Sequence, residues 1–115
     1  MGCAVKQSTK TVEGGYEIIE YQTDRQLSAD SILLHGEVFS KLDSQLISTA
    51  IIEIEKYESG LVTDENSEFI VSLPKRNAII TVQATGHTDL IVKVEDAFGG
   101  KAVKCRIYLG TVIEY

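Results

Sequence analysis

Several residue types are scarce in this chain of 115 residues, which has no tryptophan, one proline, two cysteines and two histidines. Two cysteines are too few for a disulfide framework, because they allow only the pairing of Cys3 with Cys105. Two histidines, His35 and His87, offer little material for a metal site or for a nucleophile with its base. No apolar run approaches the ~20 residues that a transmembrane helix requires. These shortages favour a soluble module without a catalytic centre.

Positive charge is also scarce, since 11 Lys and Arg residues stand against 17 Asp and Glu residues and give a formal net charge of -6. Nucleic-acid binding depends on clustered Lys and Arg, and the longest basic cluster here is Lys75-Arg76. The chain is therefore not expected to bind nucleic acid. The remaining composition, 43% apolar and 24% charged, is typical of one globular domain.

From Ser31 onward, apolar residues recur at every second position, which is the period of a β-strand. The breaks between the runs contain turn-forming residues such as Gly99-Gly100. No stretch after Ser31 carries the apolar stripe of an amphipathic helix. The apolar sides of the six predicted strands are Ile32, Leu34, Gly36 and Val38; Ala50, Ile52 and Ile54; Phe69, Val71 and Leu73; Ile80, Val82 and Ala84; Leu90, Val92 and Val94; and Val103, Cys105, Ile107 and Leu109.

The chain divides into a polar leader and an apolar domain. Residues 1–30 are expected to form a leader or tether, with one strand at 16–21, where aromatic and β-branched residues are concentrated. Residues 31–115 are expected to form one domain. Short strands at regular spacing predict an all-β fold, a β-sandwich whose two sheets enclose the apolar sides. Cys105 is then a core residue, because a free thiol on an apolar side behaves as a small hydrophobe.

The two histidines have different predicted positions. His35 alternates outward from Leu34 and Gly36, which predicts a surface or edge position. His87 lies in the turn Gly86 to Asp89, where two interpretations remain open. Asp89 orients the imidazole ring, or the ring is a half-buried cap at the end of the sandwich.

A series of short motifs follows a fixed order through residues 32–94. A strand ending Gly36-Glu37-Val38 precedes Ala50 to Ile54, and the segment Gly60 to Phe69 contains Thr63-Asp64 and an inward-facing aromatic residue. The series continues through Ile70 to Pro74, Ile79 to Ala84 and Gly86-His87. In this order and spacing the chain resembles the carboxypeptidase regulatory-like domain. It departs from that family at Ser67, where the family has glycine, at residues 43–49, which lack the usual proline and glycine, and at His87, where the family has an aromatic residue.

The resemblance implies a Greek-key, prealbumin-like β-sandwich of about seven short strands, of the kind attached to bacterial outer-membrane receptors and surface lipoproteins. The start of the chain is consistent with this, because Gly2-Cys3 and the polar residues after it are similar to the end of a bacterial lipoprotein signal. The apolar segment of such a signal is missing from the sequence. Myristoylation, a different lipid modification of chains that begin Met-Gly, is disfavoured because Lys6 stands where its motif needs Ser or Thr. From the resemblance and the Gly2-Cys3 start together, we expect a lipid attached at Cys3, the cell envelope as location, and membrane contact through that anchor alone.

The segment Asp64 to Ser67 predicts a chain reversal, with Asp64 bonding to the turn backbone and Asn66 adopting the left-handed conformation. With Glu65 and Glu68, these side chains also place oxygen atoms close together, as calcium loops do. The twelve-residue EF-hand pattern is absent, and a solvated turn accounts for the same residues. No metal site is predicted.

Two functions remain open for a chain of this kind. The first is a non-catalytic structural or interaction module of a bacterial surface lipoprotein, which presents a loop end to another protein of the cell envelope. The alternative is a small-molecule or glycan-binding module with Tyr57, His87, Phe98 and Tyr108 as contacts, since loops of β-sandwiches often carry such sites. Neither needs a cofactor. An enzyme is not expected, because the hydrolase with a prealbumin-like fold uses a C-terminal Tyr-Arg-Gly-Ser that this chain lacks.

Overall fold

The computed structural model describes residues 9–55, 60–76 and 78–114. Within these ranges the regular structure is almost entirely β, with a single 3-10 turn at Asp96–Phe98 and no α-helix. The strands are β1 (Thr9–Val12), β2 (Gly15–Tyr21), β3 (Ser31–Ser40), β4 (Ile51–Ile54), β5 (Leu61–Val62), β6 (Glu68–Pro74), β7 (Ala78–Gln83), β8 (Leu90–Val94), β9 (Ala102–Leu109) and β10 (Thr111–Glu114).

The strands form two four-stranded sheets and one two-stranded ribbon. One sheet has the order β2-β9-β3-β6, the other has the order β5-β4-β7-β8, and β1 pairs with β10 in the ribbon. The predicted all-β sandwich is confirmed. The two main sheets contain eight strands rather than about seven, and the ribbon adds two more. The alternation of apolar residues does not reveal β1, β5 or β10, because β1 lies in a polar segment, β5 has two residues and β10 follows β9 after Gly110.

The core lies between the two main sheets and consists of the side chains predicted from the alternation. Of the residues named for the six apolar sides, those at the sheet centres are fully or almost fully buried, and the others pack against them. Complete burial of a Leu, Ile or Val side chain contributes about 1.5–3 kcal/mol to folding. The fully buried large side chains include Ile32, Leu34, Val38, Ile52, Leu73, Ile80, Val82, Val92, Val94, Val103, Ile107 and Leu109.

Strand β9 occupies a central position in its sheet, between β2 and β3. It pairs antiparallel with β2 and parallel with β3, so that Leu33 faces Ala102 and Ser40 faces Leu109. Parallel neighbours need a crossover between them, and here the crossover includes all of β4 to β8. Strand β9 is the last strand of the two main sheets in chain order, and it forms the backbone hydrogen bonds that join β2 to β3.

The strand predicted at 16–21 is present as β2 and forms one edge of its sheet. The Tyr16 hydroxyl accepts the backbone N–H of Lys93 at 3.3 Å and donates to the Lys93 carbonyl at 3.4 Å. Lys93 belongs to β8, the edge strand of the other sheet, so Tyr16 joins the two sheets along this margin. Residues 9–12 and 15–21 of the expected leader therefore pair with β10 and β9, while a domain boundary at residue 30 stays a prediction.

Gly36 of β3 and Phe69 of β6 lie directly opposite each other in the inner face of the sheet. A Cβ atom on Gly36 would overlap the Phe69 ring, so the ring covers the space that a side chain would take. An aromatic residue across from a strand glycine is a recognised way to restore packing at that glycine. The spacing of the two motifs that contain Gly36 and Phe69 thus has a physical reason in this fold.

The turn before β6 is held by Asp64, as the sequence predicts. Asp64 Oδ1 accepts the backbone N–H groups of Asn66 and Glu68, each at 2.9 Å. The prediction that Asn66 adopts the left-handed conformation is wrong, because Ser67 adopts it instead, with φ of 61°. Ser67 is the position where the resembled family has glycine, which adopts that conformation without steric cost. The Ser67 side chain is buried, and its hydroxyl finds no hydrogen-bond partner among the described residues.

Replacing Ser67 by glycine is expected to stabilise the protein by about 1 kcal/mol, because left-handed backbone costs a non-glycine residue about 1–2 kcal/mol and an unpaired buried hydroxyl adds to the cost. Ser67→Ala is the matched control, since it removes the hydroxyl but keeps the backbone strain. Urea denaturation should rank the free energies of unfolding as Ser67→Gly above Ser67→Ala above the native protein. A Ser67→Gly variant less stable than Ser67→Ala would contradict the backbone argument.

Candidate functional site

The described candidate contacts for a small molecule do not converge on one groove. Tyr108 lies near the end of β9 on the solvent side of its sheet, next to Phe39. Phe98 ends the 3-10 turn before the other end of β9, and the strand from Ala102 to Tyr108 is about 20 Å long at about 3.3 Å per residue. Phe98 also packs against the core. Tyr57 lies outside the described residues, as does Cys3.

His87 is held in place by two hydrogen bonds. Its Nδ1 lies 2.9 Å from the carbonyl oxygen of Thr85, and its Nε2 lies 3.0 Å from Ser40 Oγ. Nδ1 must carry the proton, because a carbonyl can only accept, and Nε2 is then free to accept from the Ser40 hydroxyl. The interpretation that Asp89 orients the ring is wrong, since Asp89 accepts from the Gln83 amide at 3.2 Å. The half-buried ring fastens its turn to the end of β3, which agrees with the predicted cap.

His35 lies on the solvent side of β3, as predicted, but on a central strand rather than at an edge. Its Nε2 lies 3.7 Å from Glu68 Oε2 on the neighbouring strand β6. Cys105 points to the opposite side of the same sheet and is fully buried. His35 therefore has no access to the thiol, and the two residues do not form a nucleophile with its base.

Cys105 is a core residue, as predicted, and burial raises the pKa of its thiol to about 12. The thiolate is the reactive form of cysteine, so this side chain is inert at neutral pH. Across the described ranges no three His, Cys, Asp or Glu side chains are grouped closely enough to hold a metal ion. None of the helical structure in those ranges is long and apolar enough to cross a membrane.

The largest feature that remains is the solvent side of the sheet β2-β9-β3-β6, which we call the outer face. Residues directly opposite each other on paired strands share a face, so the register defines its members. It carries Glu17, Ile19 and Tyr21 from β2; Lys104, Arg106 and Tyr108 from β9; His35, Glu37 and Phe39 from β3; and Glu68, Ile70 and Ser72 from β6.

An aromatic pair marks one end of the outer face. The rings of Phe39 and Tyr108 are 5.4 Å apart with an interplanar angle of 24°, and Lys41 Nζ lies 5.4 Å from the centre of the Tyr108 ring. An open depression of about 580 Å³ adjoins this pair and also reaches Tyr16 and Glu17. Tyr108 is the only one of the described candidate contacts that lines it.

Charged side chains occupy the middle of the outer face. Lys104 Nζ and Glu37 Oε1 form an ion pair at 2.8 Å, and the Glu37 side chain is only 15% exposed. Arg106 lies between Glu17 and Glu37 in the register, yet it forms no ion pair with any residue that the structure describes. Its guanidinium is thus free to bind a carboxylate from outside, and arginine can do so with two parallel hydrogen bonds.

Apolar side chains flank this charged centre. Ile19 on β2 is 60% exposed and Ile70 on β6 is 57% exposed, so each leaves a large apolar surface in water. An exposed apolar residue alone is ordinary, but aromatic residues and arginine beside it match the composition of protein interfaces. The outer face depends on the pairing of β9 with both β2 and β3, which no local sequence pattern announces.

No protein-family model matches this chain, and no curated protein matches it significantly.

The Cys105 thiol makes the stability of the protein depend on pH at the alkaline end. Burial raises the pKa of this thiol from 9.0, the value for an exposed thiol, to about 12 in the folded protein. Between pH 9 and pH 12 the thiol therefore loses its proton in the unfolded chain but keeps it in the folded protein. The stabilisation is complete below about pH 9 and is lost as pH rises towards 12. Cys105→Ala should therefore show a shallower fall in unfolding free energy over this range, although it is less stable overall. The unfolding free energy of both proteins is measured by urea denaturation at several pH values between 9 and 12. An equal fall with pH in the native protein and in Cys105→Ala would contradict this prediction.

Proposed function

We propose that this chain is a non-catalytic interaction module of a bacterial cell-surface lipoprotein, and that it binds another envelope protein through the outer face. The observation that carries the binding role is the stacked pair of Phe39 and Tyr108 beside the unpaired guanidinium of Arg106. Aromatic side chains and arginine contribute most of the binding energy in many protein interfaces. This modifies the sequence-based expectation, which gave that role to a loop end.

The non-catalytic part of the proposal rests on the state of the reactive groups. The Cys105 thiol is buried and protonated, both nitrogens of His87 are engaged in holding a turn, and His35 faces a carboxylate on the surface of the sheet. None of these side chains lines the depression beside Tyr108. A binding role uses the outer face as it stands, without requiring any of these groups to move.

The cell-surface part of the proposal rests on the Gly2-Cys3 start and on the resemblance of residues 32–94 to carboxypeptidase regulatory-like domains. In this proposal a lipid on Cys3 holds the protein at the membrane, and the residues between Cys3 and β1 connect the anchor to the folded domain. The connecting segment is shorter than the tether expected for residues 4–30, since β1 begins at Thr9.

A photoreactive amino acid in place of Ile19 is expected to form an adduct with one major envelope protein when the chain is expressed in its native cell. The matched control places the same amino acid at Ile91, which is 65% exposed on the other sheet. Arg106→Ala and Tyr108→Ala should each reduce the adduct from position 19, because both remove a proposed contact. Equal adducts from positions 19 and 91 would count against the outer face as the binding surface.

Lipid attachment is tested by expressing the complete genomic reading frame in a bacterium supplied with radiolabelled fatty acid. Label should appear in the protein and disappear in Cys3→Ser, while Cys105→Ala keeps it, because that thiol is buried. The same reading frame should encode an apolar segment upstream of Cys3. An unlabelled native protein, or a reading frame without that segment, would remove the anchor from the proposal and leave the outer face to be judged separately.

The alternative function, binding of a small molecule or glycan, is supported only by the depression beside Tyr108. Its lining combines an aromatic ring with polar side chains that offer hydrogen-bond donors and acceptors, namely Lys41, Glu13, Glu17 and Ser44. A glycan that binds the native protein but not Tyr108→Ala would favour this alternative. His87 and Phe98 do not line the depression, so His87→Ala and Phe98→Ala should leave such binding unchanged.

A further inference from the structure

Strand β6 is an edge strand, and the register shows which of its backbone groups face outward. The Val38 N–H donates to the Ser67 carbonyl at 3.0 Å, and the Lys75 N–H donates to the Asp30 carbonyl at 2.7 Å. Because backbone groups in an antiparallel pair point alternately towards and away from the partner strand, Phe69, Val71 and Leu73 face β3. The N–H and C=O groups of Glu68, Ile70 and Ser72 face away from it.

Both ends of this free edge are already closed. At the first end, Asp64 takes both outward groups of Glu68, since Asp64 Oδ1 accepts the Glu68 N–H at 2.9 Å and the Asp64 N–H donates to the Glu68 carbonyl at 3.0 Å. At the other end, Pro74 has no N–H to offer. The central groups left over are the N–H and C=O of Ile70 and of Ser72, which pair with no described residue.

These four groups are complementary to themselves. If two β6 strands pair antiparallel about a two-fold axis at Val71, then Ile70 of each copy lies opposite Ser72 of the other. The four groups of each copy are then each used once, and four hydrogen bonds join the two strands. An axis at Ile70 would require the backbone of Glu68, which Asp64 already holds. An axis at Ser72 would require an N–H from Pro74. Only the axis at Val71 gives every free backbone group of Ile70 and Ser72 a hydrogen-bond partner.

Charge supports the same arrangement. The chain enters β6 from an acidic turn containing Asp64 and Glu65 and leaves it at the basic pair Lys75-Arg76. An antiparallel pair places the acidic turn of each copy beside the basic pair of the other, so opposite charges meet at both ends. The exposed side chain of Ile70 then covers part of the other copy.

The remaining edges of the two main sheets are less suited to such pairing. The Tyr16 hydroxyl occupies the backbone groups of Lys93 on β8, and β5 is only two residues long. Strand β2 carries Glu17 and Glu20, and charged side chains discourage pairing at an edge. Strand β6 is thus the one of these four edges that combines free central groups with capped ends and an uncharged centre at Ile70, Val71 and Ser72.

We propose that two copies of this chain form a symmetric dimer through β6, with Ile70 of one copy opposite Ser72 of the other. The two sheets β2-β9-β3-β6 then become one continuous sheet of eight strands, and the two outer faces lie side by side on it. This inference goes beyond the proposed function and does not depend on it.

The dimer is tested by analytical ultracentrifugation of the full chain over a dilution series from millimolar to micromolar. The native protein should sediment as a concentration-dependent dimer. Ile70→Lys should raise the dimer dissociation constant about tenfold or more, because an edge lysine opposes strand addition and tenfold corresponds to about 1.4 kcal/mol. Ile91→Lys is the matched control, since it adds the same charge at an exposed isoleucine of β8 and should leave the constant unchanged.

Two further variants, each with its own control, keep the test independent of folding defects. Lys75→Glu combined with Arg76→Glu should weaken the dimer, whereas Lys93→Glu should not. In a Cys3→Ser background, Val71→Cys should form a disulfide-linked dimer on mild oxidation, because residues at the two-fold axis lie within the Cα separation that a disulfide spans. Ile91→Cys in that background should stay unlinked.

A native protein that stays monomeric at millimolar concentration would overturn the proposal. A dimer that Ile70→Lys and Ile91→Lys weaken equally would also overturn it, since the contact would then lie elsewhere. Concentration-dependent protection of the Ile70 and Ser72 amides from hydrogen exchange would support it, and these amides are distinct from the groups that the outer-face experiments probe.

Discussion

The whole fold depends on the placement of β9 between β2 and β3. Its inner side chains Val103, Cys105, Ile107 and Leu109 are completely buried, and its backbone bonds to a strand on each side. Without β9, strand β3 would lose its backbone partner on one side, and β2 would have no strand to pair with. The outer face exists for the same reason, since Arg106 and Tyr108 come from this strand. Packing, hydrogen bonding and the candidate binding surface thus share one long-range contact.

Much of the sandwich is readable from alternation alone, because a side chain that points into a two-sheet core must be apolar at every second position. Ile32, Val82 and Val103 are predicted to be buried on this basis, and the structure buries them. Strands without such alternation escape notice: β1 is polar, and β5 is too short to show a period. The left-handed residue is also misplaced, since Asn66 is the better residue type but Ser67 occupies the position where the chain must reverse.

The candidate site is less predictable than the core for a physical reason. Residue type indicates which side chains can bind, so Tyr108 and Phe98 are equivalent candidates by type, although Phe98 precedes β9 and Tyr108 lies near the other end of that strand. Arg106 shares the face of Tyr108 because it lies two residues earlier on β9. Phe39 joins Tyr108 because β3 and β9 run parallel, and that pairing connects segments separated by most of the chain. His87 binds Ser40 across 47 residues of sequence. Contacts of this kind belong to the topology and leave no local pattern.

The ribbon of β1 and β10 has a mechanical consequence. The strands are antiparallel, and Thr9 lies opposite Glu114 at the far end of the ribbon from the sandwich. Tension applied through these two residues acts along the hydrogen bonds between the strands, which run perpendicular to the chain. Such a load unzips the ribbon one residue pair at a time, starting with the outermost. The sandwich bears this load only after the strands of the ribbon have separated, so the ribbon protects the domain from small stretching forces.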